Sequence, residues 1–564
     1  MKISRLFLGL ILSACTLAST SAIDAATYYV KQGGSNGNGL SWGHAFNNLE
    51  SALAQVRTVG GTNEIWIAEG TYKPTFINTT LPYLTGTNWS GTTPSFYVPG
   101  NTSIYGGFKG NETSLDQRDP CKHPTILDGD ILGNDLPSYD RGANNDPNFL
   151  LSLPYVASKD DNARHVLTIV TNSNRTEAVT IDSVTIQNGF AGIQTGQNVA
   201  TSRGGGIYHR YGALTINNVL FTVDDASGDR VRYGGGRGGA LYSAFATTVN
   251  ITNSKIIDCY AQNVSASFEI NSGATQFPTY LTTIEIDNLL IQDTLGEGCT
   301  AATYHSLLHM KNTTFKNNVS AFACAGLQVV DNLELDQVFT RSSVIEDSHF
   351  LDGRGGGCSG IHLFNDGKAK PLYPMIIRNC EFKGNISLTA LDELPSPWDS
   401  IIGSAAYDAD IDSCTFIQNN GANTGAVALI KNWWPSDGYL YTFSPTITVR
   451  NSTFCKNKAF MPLIQDCAGA LLCSGEVNGE DFRLGMPVQM IVENNTFCGN
   501  SAIGNGGAIS VIKGATATIK KNCFTKNQSL AGKGDAIYVS QSHVNNVRHD
   551  NKFKPLTDDT VIIE

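Results

Sequence analysis

Three groups of side chains in this chain of 564 residues have types and spacings suited to chemistry. Asp128, Asp130 and Asp135 crowd behind an apolar run, and Asp140 and Asp146 follow in a polar stretch. Clustered carboxylates supply the hard oxygen donors that Ca2+ takes. Asp is also a residue that opens turns by bonding to nearby backbone, and the spacing admits both readings. Arg118, Lys122, Arg164 and His165 lie near this acidic loop in sequence. Eliminative cleavage of an acidic glycan needs a group that neutralises the uronate carboxylate and a Lys or Arg base in the same groove. The spacing alone does not put these residues on one face. The third group is Trp433, Trp434 and Tyr439, in a run that lengthens its segment. Exposed aromatics of this kind stack on sugar rings or anchor a protein partner; alternatively they fold back over the wall behind them.

Any such group must be positioned by an exported scaffold. Lys2 and Arg5 precede an apolar run from Leu6 to Ala18, and Thr20 and Ala22 are small, so residues 1–22 read as a signal peptide cleaved after Ala22. Leu12-Ser13-Ala14-Cys15 resembles a lipobox, which would instead anchor the chain by a lipid on Cys15. No later stretch reaches the roughly 18 apolar residues of a membrane span, so the mature chain is expected to carry no transmembrane segment. The formal net charge is −11 without a basic stripe, which argues against nucleic acid as a partner. Removing Cys15 from the 13 cysteines leaves an even number, which permits disulfides in an oxidising compartment.

Residues 23–75 read as a cap and first strand. Tyr28 to Val30 and Ile65 to Ala68 are strand-like, and Phe46, Leu49, Leu53 and Val56 recur at helical spacing. That helix, over about 46–58, is expected to cover the open end of a stack. Residues 76–564 are expected to form the stack itself, because a hexad then repeats: apolar, any, Asn/Asp/Ser, small, any, Phe or Ile. It begins at Ile181–Ile186, runs through copies such as Ile286–Ile291, Ile377–Phe382 and Val449–Phe454, and closes at Ile519–Phe524. Its last residues are 24 to 43 apart. Such a period signals a solenoid or a propeller. A propeller needs hairpin turns of the Asn-Gly type, which are scarce here, so the fold expected is all-β, a single-stranded right-handed parallel β-helix of about thirteen coils. Asn at the third position of the hexad tolerates left-handed backbone and suits a bend between two strands. The first, fourth and last positions should point inward.

Two further elements accompany the hexad. One is Gly-small-small-apolar, as in Gly204-Gly205-Gly206-Ile207, Gly238-Gly239-Ala240-Leu241 and Gly506-Gly507-Ala508-Ile509. The other is Phe-x-x-Asn, as in Phe382/Asn385, Phe416/Asn419, Phe454/Asn457 and Phe497/Asn500. Together these resemble the paired repeats of the chlamydial polymorphic outer-membrane proteins. The N-terminal half resembles a wider group of bacterial secreted proteins with pectin-lyase-like β-helices. That resemblance rests on Ser41-Trp42, Glu64-Ile65-Trp66-Ile67-Ala68, Tyr105-Gly106-Gly107-Phe108, Glu112-Thr113, Arg118-Asp119 and Thr125-Ile126-Leu127-Asp128-Gly129-Asp130. The resemblances imply a secreted or cell-surface protein and often adhesion. They stop short of the polymorphic proteins' barrel, since no run of amphipathic barrel strands precedes Val561-Ile562-Ile563-Glu564. The lyase signature Trp-Ile-Asp-His is absent, as are the Asn-Thr-Asp and Gly-His-Gly motifs of polygalacturonases. The function expected is non-catalytic binding of a glycan or cell-surface protein; the alternative is a lyase or hydrolase of an acidic glycan.

Overall fold

The computed structural model describes residues 25–564, apart from 77–93, 136–158, 160, 193–201, 227–235, 263, 274–280, 332–340, 366–372, 389–398, 406, 431–443, 461–466, 476–487, 541 and 555–556. The signal segment with Cys15 and the Trp433, Trp434 and Tyr439 run lie outside the described residues, as do Asp140 and Asp146. No helix among the described residues is long and apolar enough to cross a membrane.

Among the described residues the wall of the solenoid is three parallel sheets of 27, 14 and 10 strands. A late coil gives the plan. Strands Thr446–Arg450 and Thr453–Cys455 belong to the largest sheet, Lys458–Ala459 to the smallest and Leu471–Ser474 to the third; Gln489–Glu493 then opens the next coil. Each residue pairs with its counterpart one coil on, so Val449 lies against Val492 and Phe454 against Phe497. Differences in coil length fall mostly between the strands; among the described residues the register shifts within a strand between Trp66 and Ala68 and between Ser265 and Phe268. Among the described residues the second sheet has 14 strands, against the about thirteen coils expected.

The hexad works as its residue types dictate. Its third position is left-handed in every copy, from Ser183 (φ 58°) and Asn218 (φ 52°) to Asn494 (φ 59°) and Lys521 (φ 59°). A second left-handed residue follows the Phe by two, as at Asn317, Gln418 and Lys456. The last position is buried in all copies, and the rings from Phe315 to Phe553 stack at centroid spacings of 4.7 to 5.0 Å. That spacing is the distance between neighbouring strands, so the backbone register fixes the ring stack. The Asn of Phe-x-x-Asn forms a second, polar ladder inside the corner. Asn419 Nδ2 donates to the Phe382 carbonyl at 2.9 Å and to Asn457 Oδ1 at 2.9 Å, while Asn419 Oδ1 accepts the Asn385 backbone N–H at 3.1 Å. The same bonds repeat at Asn457 and Asn500, and Asn527 ends the ladder, accepting from Asn500 and donating to the Phe497 carbonyl. From Asn385 to Asn527 a buried corner that would strand polar backbone is thereby satisfied by one amide per coil. In the Gly-rich element, Gly506 is left-handed (φ 70°), and a Cβ on Gly507 would lie 2.0 Å from the Asp535 carbonyl oxygen. At Gly507 a side chain would strike the backbone of the next coil.

The N-terminal helix, α1, spans Leu49–Val59 and buries Leu49, Ala52, Leu53 and Val56 against the first strands. It starts three residues later than the apolar spacing suggested, because Asn48 caps it through the Ser51 N–H and Phe46 instead bridges to Val30. Cys455 and Cys498 are disulfide-bonded across adjacent coils with Cα atoms 4.7 Å apart. Cys324 and Cys358 also stack in adjacent coils but remain buried thiols.

Two outcomes test this packing. Phe454→Ala should cost about 3–5 kcal/mol, read by urea unfolding, with faster hydrogen exchange concentrated in the coils around residues 416 and 497; unchanged exchange there would mean the stack carries no load. Thiol titration of the denatured chain should rise by two on reduction if Cys455–Cys498 is the disulfide that forms.

Candidate functional site

The residues singled out for metal and lyase chemistry are held by structural partners or buried. Asp130 caps a turn, its carboxylate accepting the backbone N–H of Gly133, Asn134 and Asp135. Asp128 accepts from the Asp130 N–H and from Asn188 Nδ2, with Lys73 Nζ at 4.0 Å. Asp135 accepts from Asn162 Nδ2. Among the described residues no group of three or more His, Cys, Asp or Glu side chains has a metal-holding arrangement. Arg118 pairs with Asp182 at 3.1 Å and lies over Phe108, Lys122 pairs with Asp119 in solvent, and Arg164 and His165 are buried. Burial pushes the His165 pKa down to about 3, against a hydrogen bond with the Gly204 carbonyl. The motif residues of the N-terminal half form a structural knot instead. Trp66 stacks on Phe108, Trp42 Nε1 donates to the Glu112 carbonyl, and the Glu112 carboxylate accepts three successive backbone N–H groups.

The ordered, accessible chemistry lies on the outer wall of the largest sheet. The second residue of the hexad faces outward, immediately before the left-handed bend, and strand register lines up one such residue per coil. Over eight consecutive coils the row reads Asp287, Lys311, Glu346, Arg378, Asp412, Arg450, Glu493, Lys520. Its sign alternates at every step. Each acid pairs with the base on the next coil: Asp287 with Lys311 at 3.2 Å, Glu346 with Arg378 Nε at 2.6 Å, Asp412 with Arg450 Nε at 3.0 Å and Glu493 with Lys520 at 3.6 Å; from beside the row, Asp410 also takes Arg450 at 2.7 Å and Lys521 also takes Glu493 at 3.2 Å. The bends hold the acids in place as well. Asn312 donates to Asp287, and this bond together with Lys311 holds the Asp287 carboxyl below its ordinary range against a small burial penalty. Asn451 and Arg450 act likewise on Asp412, outweighing its burial.

These side chains are 25 to 51% exposed, so water and partners reach them. With strands about 4.8 Å apart, the row is about 34 Å long. At its N-terminal end Glu285, Asp287, His309, Lys311, Glu346 and Arg378 line a half-open concavity of about 450 Å3. The row was readable from sequence, but only after register made the variable second position of each hexad a neighbour of the next.

The family model for the Chlamydia polymorphic membrane protein repeat matches residues 496–512, which hold Phe497, Asn500 and Gly506-Gly507-Ala508-Ile509. No curated protein and no solved structure matches the chain.

A buried acid next to this wall gives a pH test. Register places Asp224, Cys259 and Thr294 on the Asn ladder's own positions, before Asn318. Asp224 Oδ1 accepts the Gly189 N–H at 2.9 Å as a ladder Asn would. Its Oδ2 stands where the amide nitrogen belongs, buried and without a partner. Burial first, then Asp128 and Asp225, raise its pKa well above the carboxylate range, against the Gly189 bond and Lys159. The folded chain therefore holds a proton that the unfolded chain releases near pH 3.9, and stability falls as pH rises from there toward the folded pKa. Asp224→Asn restores the ladder amide. It should add about 1–3 kcal/mol at neutral pH and little at pH 4, measured by thermal melts at both; a gain independent of pH would refute the protonated ladder.

Proposed function

We propose that this protein is an exported, cell-surface or secreted binding protein of the adhesin type, whose outer wall engages an extended partner. The observation that carries this reading is the eight-coil row of half-exposed charges, about 34 Å long at one strand spacing per coil. Exposed ion pairs contribute only about 0–1 kcal/mol each to folding. A solenoid held by Phe and Asn ladders does not need them, so the row is better explained by what it meets outside. The match to a repeat of chlamydial polymorphic membrane proteins supports surface or outer-membrane display. The aromatic run Trp433-Trp434 with Tyr439 would supply a second contact with a glycan or a surface protein.

The experiment pairs a glycan array and a cell-adhesion assay with detection of unsaturated uronate product. Binding without product is expected. Replacing Lys311 and Arg378 by Gln should weaken binding by about tenfold, equivalent to about 1.4 kcal/mol, with circular dichroism unchanged. Release of unsaturated uronate, or full binding by that variant, would overturn the reading.

A further inference from the structure

The order of signs along the row selects its partner. Read from Asp287 the row is −+−+−+−+, and read backwards from Lys520 it is +−+−+−+−. A copy turned by a twofold axis between the Arg378 and Asp412 coils therefore opposes unlike charges at every coil. Asp287 meets Lys520 of the copy, Lys311 meets Glu493, Glu346 meets Arg450 and Arg378 meets Asp412, each pair occurring twice by symmetry. A copy laid parallel and in register opposes like charges at every coil. An isologous contact requires this self-complementarity of one patch with itself.

The dipoles of the four pairs act in the same sense. In each of them the acid precedes the base by one coil. The row thus carries four dipoles aligned along the solenoid axis, and two such rows attract when antiparallel. The row itself is neutral, four acids against four bases, on a chain of formal charge −11. It is a stretch where two copies can approach without the repulsion carried by the rest of the surface. The coils before Asp287 place Thr252 and Asn217 at the same position, so the charged stretch has an end, and one antiparallel register matches all eight coils where a shift of two coils matches six.

We propose that the partner of this wall is a second copy of the chain, bound antiparallel through the alternating row. This rests on reading the wall as a binding surface and names its partner. The test is sedimentation of the full mature chain at several salt concentrations, with carbodiimide cross-linking. Near 0.15 M salt, where the screening length is about 8 Å, the net repulsion is damped while pairs in contact persist, and a dimer is expected. Near 1 M salt it should dissociate.

R378E and D412R each create two like-charge contacts across the axis and should weaken dimerisation at least tenfold. An equimolar mixture of the two variants restores opposite charges at both contacts and should recover the dimer. A zero-length cross-link between Asp287 and Lys520 identifies the antiparallel arrangement, because the two lie at opposite ends of one row. A monomeric wild type throughout, equal dimerisation by the single variants, or no recovery on mixing would overturn the proposal. Glycan and cell binding are measured on the same samples. Binding by a monomer sinks self-association and leaves the adhesin reading standing; a dimer that binds neither glycan nor cells does the reverse.

Discussion

Parallel pairing of each strand with its counterpart one coil on is the constraint on which everything else in this molecule depends. One strand spacing separates a residue from its counterpart in the next coil, so every side chain sits on the side chain at the same position of its neighbour. A type tolerable once must be tolerable stacked on itself. Phe satisfies this inside the wall because flat rings stack at the spacing the backbone imposes. Asn satisfies it at the corner because a carboxamide both donates and accepts. Its oxygen takes the preceding coil's N–H, and its nitrogen reaches both the next amide and a carbonyl. A charge does not satisfy it, since two like charges about 4.8 Å apart repel.

This explains which parts of the fold were legible in the sequence. Asn218, Asn253 and Asn494 marked left-handed bends because few other residues accept that backbone, and the structure puts all three there. Phe454 and its counterparts marked the core because their spacing tolerates variable loops but no change in order. Gly507 recurred because a neighbouring carbonyl leaves no room for a Cβ. In each case a local physical demand restricts the residue type, and repetition makes the restriction visible.

The candidate site was less legible, for the complementary reason. Solvent-facing positions accept many types, so the second position of the hexad looks unrestricted within any one copy. Its order emerges only between copies, once Asp287 is known to lie beside Lys311 and Glu346 beside Arg378. The acidic loop shows the opposite relation between sequence and space. Asp128 and Asp130 are close in sequence and close in space, yet their oxygens are taken up by backbone N–H groups and Asn188. Clustered Asp in a turn organises the turn first. His165 likewise stood near basic residues in sequence, but burial against Tyr208 keeps it neutral and out of reach of solvent.

Alternation of sign has an inward explanation as well as an outward one, and the two can be weighed. Inwardly, alternation is the cheapest way to place a charge on every coil, since each neighbour then attracts. That accounts for the sign at a coil whose neighbours are already charged. It does not account for charge being there at all, because Thr252 and Asn217 fill the same position in the preceding coils and their strands pair equally well. Nor does it account for the orientation of the pairs. Asp287–Lys311, Glu346–Arg378, Asp412–Arg450 and Glu493–Lys520 are bonded, whereas attraction alone would serve equally between Lys311 and Glu346 or between Arg378 and Asp412. The pairing holds four parallel dipoles on a face that folding does not require to be charged. Stability is indifferent to that polarity, and recognition by another surface is not.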